Sequence, residues 1–148
     1  MKNVLELLER TAARLPRQTA FADQQCSYDY QTVVNIAGSV GSALAANGDR
    51  NCPVAVLMER GAPCLVTLMG VLYSGNFYVV LDPEMPAERV NKILRTLQPT
   101  ALICDEAHKD DPAGLDYDGK VYSAEALAAG QAQPELLQTV RRRMIDTD

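Results

Sequence analysis

The stretch that decides the fold runs from Pro53-Val54-Ala55-Val56-Leu57-Met58, through Phe77-Tyr78-Val79-Val80-Leu81, to Ala101-Leu102-Ile103-Cys104. These are short, nearly unbroken apolar runs rich in Val and Leu, the composition of strands buried on both faces. Two longer segments of helical period separate them. Pro63 opens the first and Gly75 stops it; Pro86 opens the second, which carries Val90, Ile93, Leu94 and Leu97 on one side. Strand, helix, strand, helix, strand with short connections predicts a parallel sheet covered by helices through right-handed crossovers. The expected class is therefore α/β, a mainly parallel sheet flanked by helices.

Upstream, Asn3 and Glu6 have capping-box spacing, and Val4, Leu5, Leu8, Ala12 and Leu15 recur as one face of an amphipathic helix. Short strands at Thr19 to Ala22 and Gln25 to Tyr28 flank the polar pair Asp23-Gln24. Ser27 is read as the cap of a helix over Tyr28 to Asn47, which Gly48 ends. Downstream, the polar segment Asp105 to Gly119 leads to a strand near Lys120 to Tyr122 and a small helix begun by Ser123 and Glu125. Beyond Gln131 only Leu136, Leu137 and Val140 hint at a period. Residues 1–130 are accordingly read as an α/β subdomain and 131–148 as a connector.

With 148 residues, 47% of them apolar, the chain has enough material for a single core. A net charge of −5 argues against a nucleic-acid surface, and the basic run Arg141-Arg142-Arg143 is read as a solvated face. No apolar run reaches the roughly 20 residues of a membrane-spanning helix, and the first segment is charged and amphipathic, so neither a membrane contact nor a signal peptide is expected. Cys26, Cys52, Cys64 and Cys104 are scattered, which suits reduced thiols in a cytoplasmic protein rather than a zinc or redox site. His108 is read as a solvated side chain, and the acidic residues from Asp105 to Asp118 as a surface loop without calcium-loop spacing. Asp105-Glu106-Ala107-His108 spells a helicase box, but no phosphate loop accompanies it. No catalytic, cofactor-binding or metal-binding residue is expected in the chain.

Cys26-Ser27-Tyr28-Asp29-Tyr30 resembles the first core motif of adenylation domains, Leu-Thr-Tyr-x-Glu-Leu, with Tyr30 in place of Glu. Leu72 to Asp82 resembles the second, Leu-Lys-Ala-Gly-x-Ala-Tyr-x-Pro-hydrophobic-Asp: Gly75, Tyr78 and Asp82 match, while Tyr73 and Val80 depart. Pro86 and Arg89 then match the continuation Asp-x-x-Tyr-Pro-x-x-Arg-Ile, with Met85 for the tyrosine. Over roughly residues 1 to 125 the chain thus resembles the N-terminal subdomain of adenylate-forming ligases, the superfamily of AMP-dependent synthetases and ligases. The amino-acid-activating branch is nearest, including nonribosomal peptide synthetase adenylation domains and D-alanine carrier-protein ligases.

The resemblance implies a scaffold role for Ser27, Tyr28, Gly75, Tyr78, Asp82, Pro86 and Arg89. For an intact parent enzyme it implies ATP and Mg²⁺, an amino-acid substrate, an aminoacyl-adenylate intermediate and transfer to a carrier-protein phosphopantetheine thiol. The family's phosphate loop ending in Lys, its ribose-binding Asp, its hinge and its lysine-bearing C-terminal domain have no counterpart here. The glycines nowhere form Gly-x-x-x-x-Gly-Lys or Gly-x-Gly-x-x-Gly. The chain alone is therefore expected to be inactive, and to self-associate through faces that an intact ligase covers. The sequence leaves a second reading open, a self-contained doubly wound module that binds a small ligand or a protein without catalysis.

Overall fold

In the computed structural model, residues 4–147 are described, with side chains as far as Arg143. Asn3, one half of the expected capping box, lies outside the described residues. The helices are α1 (Val4–Arg14), α2 (Tyr30–Ala45), α3 (Ala62–Tyr73), α4 (Ala87–Leu97), α5 (Ala124–Ala128) and α6 (Pro134–Thr147). The strands are β1 (Thr19–Ala22), β2 (Ser27–Asp29), β3 (Pro53–Leu57), β4 (Phe77–Leu81), β5 (Ala101–Cys104) and β6 (Lys120–Ser123). β1 and β2 form an antiparallel pair; the other four make a wholly parallel sheet in the order β4-β3-β5-β6.

Alternation along β3 and β5 explains why both are apolar throughout. Val54, Val56, Ala101 and Ile103 face one core with Val40 and Leu44 of α2 and Leu68 and Val71 of α3. Ala55, Leu57, Leu102 and Cys104 face the other, closed by Val90 and Leu94 of α4. α1 adds Leu5 and Leu8 to a third cluster with Val33, Ala37, Val66 and Tyr73. The expected α/β class, a parallel sheet flanked by helices, is what the chain forms.

Three expectations need correction. β4 is not buried on both faces: it lies at the sheet edge, where Phe77, Tyr78 and Val80 are 43%, 37% and 44% exposed and only Leu81 is fully enclosed. The cap of α2 is Asp29, whose Oδ1 accepts from the Thr32 amide at 2.8 Å, rather than Ser27. Pairing of Ser27 with Ala22 and of Asp29 with Thr19 keeps that segment extended, so the helix starts only after it. Residues 134–147, left without an element above, form α6. Its Val140 is buried and its Leu137 packs beside Val33 and Tyr73, a stripe too short to produce a clear period.

α2 and α3 are the most closely packed helices, and small residues permit it. A Cβ on Gly41 would stand 2.5 Å from the Tyr73 Cβ, and one on Gly70 would stand 2.5 Å from the Val40 Cβ. A polar clasp joins α1, α3 and α6. The Tyr73 hydroxyl donates to Glu9 Oε2 at 2.7 Å, and Arg141 donates to both Glu9 oxygens at 3.1 and 3.0 Å. The guanidinium also sits 5.4 Å from the centre of the Tyr73 ring. Burial, then the Glu9 carboxylate, push the Tyr73 hydroxyl far above its ordinary pKa, so it stays a donor. Tyr73, a departure from the family motif, thus has its own partners in this chain. Among the described residues no helix is long and apolar enough to cross a membrane.

Candidate functional site

Ligands of open α/β sheets sit at the carboxyl ends of the strands, where helix N-termini offer unpaired amides to anions. Here that place is a cleft of about 230 Å³ between the β1–β2 turn and the segments that follow β3 and β5, walled by Asp23, Met58, Glu59, Arg60, Asp105 and Glu106. The amide a phosphate would seek at the start of α3 is taken: Asp23 Oδ2 accepts from the Ala62 N–H at 2.7 Å. Its Oδ1 accepts from the Gln25 and Cys26 amides at 2.8 and 2.9 Å. The Ala62 bond, followed by those from Cys26 and Gln25, holds the Asp23 carboxyl below the usual carboxylate range. A fixed negative charge therefore occupies the position where a nucleotide phosphate would need positive potential. Asp105 Oδ2 accepts from the Glu59 amide at 3.0 Å and adds a second carboxylate. These residues do not fit a triphosphate or a magnesium–nucleotide complex, and no step of adenylation can be derived from them.

Nucleophilic chemistry fares no better. Burial, then the charge of Asp105, push the Cys64 and Cys104 thiols up, which disfavours thiolate. Among the described residues no group of three or more His, Cys, Asp or Glu is arranged to hold a metal ion.

His108, expected in a solvated loop, is instead held in a short 3-10 turn. Its side chain is 18% exposed, with Nε2 2.7 Å from Glu59 Oε1 and Nδ1 2.9 Å from Asp111 Oδ2. Ionised carboxylates only accept, so the two contacts favour the protonated imidazole, in which both ring nitrogens donate. The Glu59 bond first, and Asp111 with it, raise its pKa above the ordinary value. A raised folded pKa contributes stability that is complete below the unfolded value, about 6.5, and is lost as pH rises through the folded value. His108→Ala should therefore cost up to about 1 kcal/mol near pH 6, the scale of partly exposed pairs, and progressively less towards pH 9. Urea unfolding of both proteins across that range measures it; a constant difference would contradict the assignment.

The motif-matching residues are distributed through the framework rather than gathered in a site. Ser27 and Tyr28 lie in β2, where Tyr28 pairs with Phe21 and packs against the α1–α2–α3 cluster. Gly75 follows α3 at φ +82°, and its carbonyl accepts from Asn51 N–H at 2.7 Å. Tyr78 lies opposite Val54. Asp82 forms the next turn, with Oδ1 accepting from the Glu84 amide at 2.9 Å and its carbonyl from that of Met85 at 3.0 Å. Pro86 is the N-terminal boundary residue of α4, and Arg89 lines an open groove of about 1000 Å³ with Pro53, Phe77, Ile93 and Lys92. Sequence reasoning missed Asp23, because its partner Ala62 is 39 positions away.

A parallel sheet flanked by helices, with Asp23 and Asp105 bordering the cleft at its strand ends, defines an α/β subdomain. Similarity to known proteins agrees with that class. The sequence profile of the AMP-binding enzyme family matches residues 8–145, and the chain belongs to that family. It is 30% identical over 115 residues to bacitracin synthase 3 of Bacillus licheniformis, covering 76% of this chain and 2% of that protein. It is 29% identical over 103 residues to tyrocidine synthase 3 of Brevibacillus parabrevis, covering 69% of this chain and 2% of that protein. Its fold matches the nonribosomal peptide synthetase FmoA3, solved in an α-methyl-L-serine-AMP bound form, with a TM-score of 0.78 at 22% identity, over 86% of this chain and 14% of that one. The chain thus corresponds to the N-terminal subdomain of an adenylate-forming ligase, and it spans a small fraction of the proteins it matches.

Proposed function

We propose that this chain is the framework portion of an ATP-dependent ligase that activates an amino acid as its adenylate and loads it onto a carrier-protein thiol, and that the chain by itself is inactive. The match over residues 8–145 carries the reading, and similarity to a nonribosomal peptide synthetase and to two peptide-antibiotic synthases favours amino-acid activation. Residues 1–130 serve as the subdomain and 131–148 lead on from it. Ser27, Tyr28, Gly75, Tyr78, Asp82, Pro86 and Arg89 act as scaffold, fixing turns and helix starts around the sheet. ATP and Mg²⁺, the amino-acid pocket and the phosphopantetheine acceptor belong with portions of the family fold that these residues do not supply, in the cytoplasm. Self-association belongs to the same reading, because β4 leaves an open edge.

The chain should show no amino-acid-dependent ATP–pyrophosphate exchange above a blank without enzyme, because Asp23 already occupies the helix terminus at the strand-end cleft. Exchange with any amino acid would overturn the inactive-framework reading. The whole reading frame that carries the chain, assayed against a panel that includes D-alanine, tests the ligase assignment separately. Absence of both exchange and acyl-adenylate across that panel would count against it.

A further inference from the structure

We infer that His108 is a proton-controlled tie between the two segments that wall the strand-end cleft: while charged it holds the segment after β3 to the turns after β5, and when it loses its proton Glu59 is released and the cleft widens between them. Three stretches of chain meet at the ring. His108 closes the 3-10 turn Glu106–His108 that follows β5, Asp111 opens the next such turn, Asp111–Gly114, and Glu59 comes two residues after β3. Asp111 is three positions from His108 and moves with it. Glu59 is 49 positions away, in the segment that leads from β3 into α3.

The proton count decides whether the tie can exist. A charged imidazole donates from both nitrogens and serves both carboxylates, Glu59 at 2.7 Å and Asp111 at 2.9 Å. A neutral ring keeps one N–H, and its other nitrogen turns a lone pair towards a carboxylate, so one of the two must withdraw. Glu59 has the easier exit to water, its side chain being 64% exposed against 47% for Asp111. Asp105 adds a push. Its Oδ2 accepts from the Glu59 amide at 3.0 Å, while its enclosed Oδ1 has no hydrogen-bond partner among the described residues, and its charge favours the imidazolium. Around the cluster, Asp110 beside Lys109 and Glu125 of α5, which accepts from the Glu106 amide at 3.3 Å, are also acidic. Of the neighbouring cations, Lys109 is paired with Glu106 at 2.9 Å, and Arg60 makes no ion pair among the described residues. Loss of the ring's proton therefore leaves Glu59, Asp105 and Asp111 together with no cation between them.

The backbone allows a local response. Glu59 and Arg60 are exposed and stand between buried Met58 and buried Ala62, whose amide Asp23 holds at 2.7 Å, and Gly61 joins them at φ +152°. Two residues can swing outward while strand and helix stay in place. Because the tied ring holds its proton more firmly than a free one, the tie is complete below about pH 6.5, the ordinary histidine value, and is lost as pH rises through the higher value of the tied ring.

Nuclear magnetic resonance of the chain from about pH 5.5 to about pH 9 tests this, since His108 is its single histidine and the imidazole titration is read without overlap. The ring should titrate above about 6.5, and through the same range the Glu59 amide, corrected for the pH dependence of exchange in an unfolded chain, should lose about tenfold in protection while Val56 and Leu115 keep theirs. Asp111→Asn removes the competition, because a neutral ring can donate to Glu59 and accept from the new amide; Glu59 should then stay protected up to about pH 9. His108→Gln carries no titrating charge and should make Glu59 protection independent of pH. Constant Glu59 protection through the His108 titration, or a ring that titrates no higher than about 6.5, overturns the inference. So does a loss of protection that keeps its midpoint in either variant, since another group would then be responsible.

Discussion

Gly41→Val is expected to lower stability by about 3 kcal/mol, which corresponds to a melting temperature about 10 °C lower for a chain of this size. Two effects of opposite sign compete. Removing glycine from a helix interior gains up to about 1 kcal/mol through reduced unfolded-state freedom and better propensity. Against that, the new Cβ would lie 2.5 Å from Tyr73 Cβ, 3.0 Å from the Gly70 carbonyl oxygen and 3.3 Å from the Ser74 nitrogen. Backbone atoms of a neighbouring helix cannot rotate away, so α2 and α3 must separate, and the γ-methyls of Val enlarge the displacement. Separation would also shift Tyr73 from its bond to Glu9. Thermal unfolding followed by circular dichroism measures the loss, with Gly41→Ala as a milder companion. A loss below about 1 kcal/mol for the valine variant would show that the two helices can part at little cost.

Gly75→Val should cost about 2 to 3 kcal/mol from two separable sources. The backbone stands at φ +82°, a conformation that disfavours any Cβ and a branched one most. Independently, a Cβ would come within 2.7 Å of Val140 Cγ1 on α6 and 3.0 Å of Arg50 Cδ. Arg50 has little freedom to retreat, since its Nη1 donates to the Ala45 and Asp49 carbonyls at 3.0 and 2.7 Å. Gly75→Ala combined with Val140→Ala divides the sources. The steric part should be relieved and the backbone part should remain, so the two substitutions together should cost less than the sum of their separate effects. Strict additivity would show that Val140 does not press on this turn.

What was legible in the sequence follows from how local each determinant is. β3, β5 and α4 were legible because their apolar patterns are continuous or strongly periodic, and burial enforces those patterns. β4 carries the same composition as β3, but its place at the edge is set by strand order, which no local pattern encodes. Ser27 and Asp29 are both good capping residues, and the ladder between β1 and β2 chose between them. α6 was missed because its packed face rests on Leu137 and Val140 amid polar residues. The lack of a phosphate loop was legible as a missing motif. That Asp23 covers the start of α3 and that Glu59 holds His108 were not, because these pairs are 39 and 49 positions apart.

The clasp between the first and last helices bears on the order in which the chain matures on the ribosome. Glu9 emerges before Arg141, which follows 132 positions later. At synthesis rates of about 5 to 20 residues per second, that interval is on the order of ten seconds. Tyr73 arrives after 64 positions and offers Glu9 a neutral donor in the meantime. α1 can therefore dock on α3 through the hydroxyl during translation, and the arrival of Arg141 adds an ion pair to that contact and fastens the nascent domain.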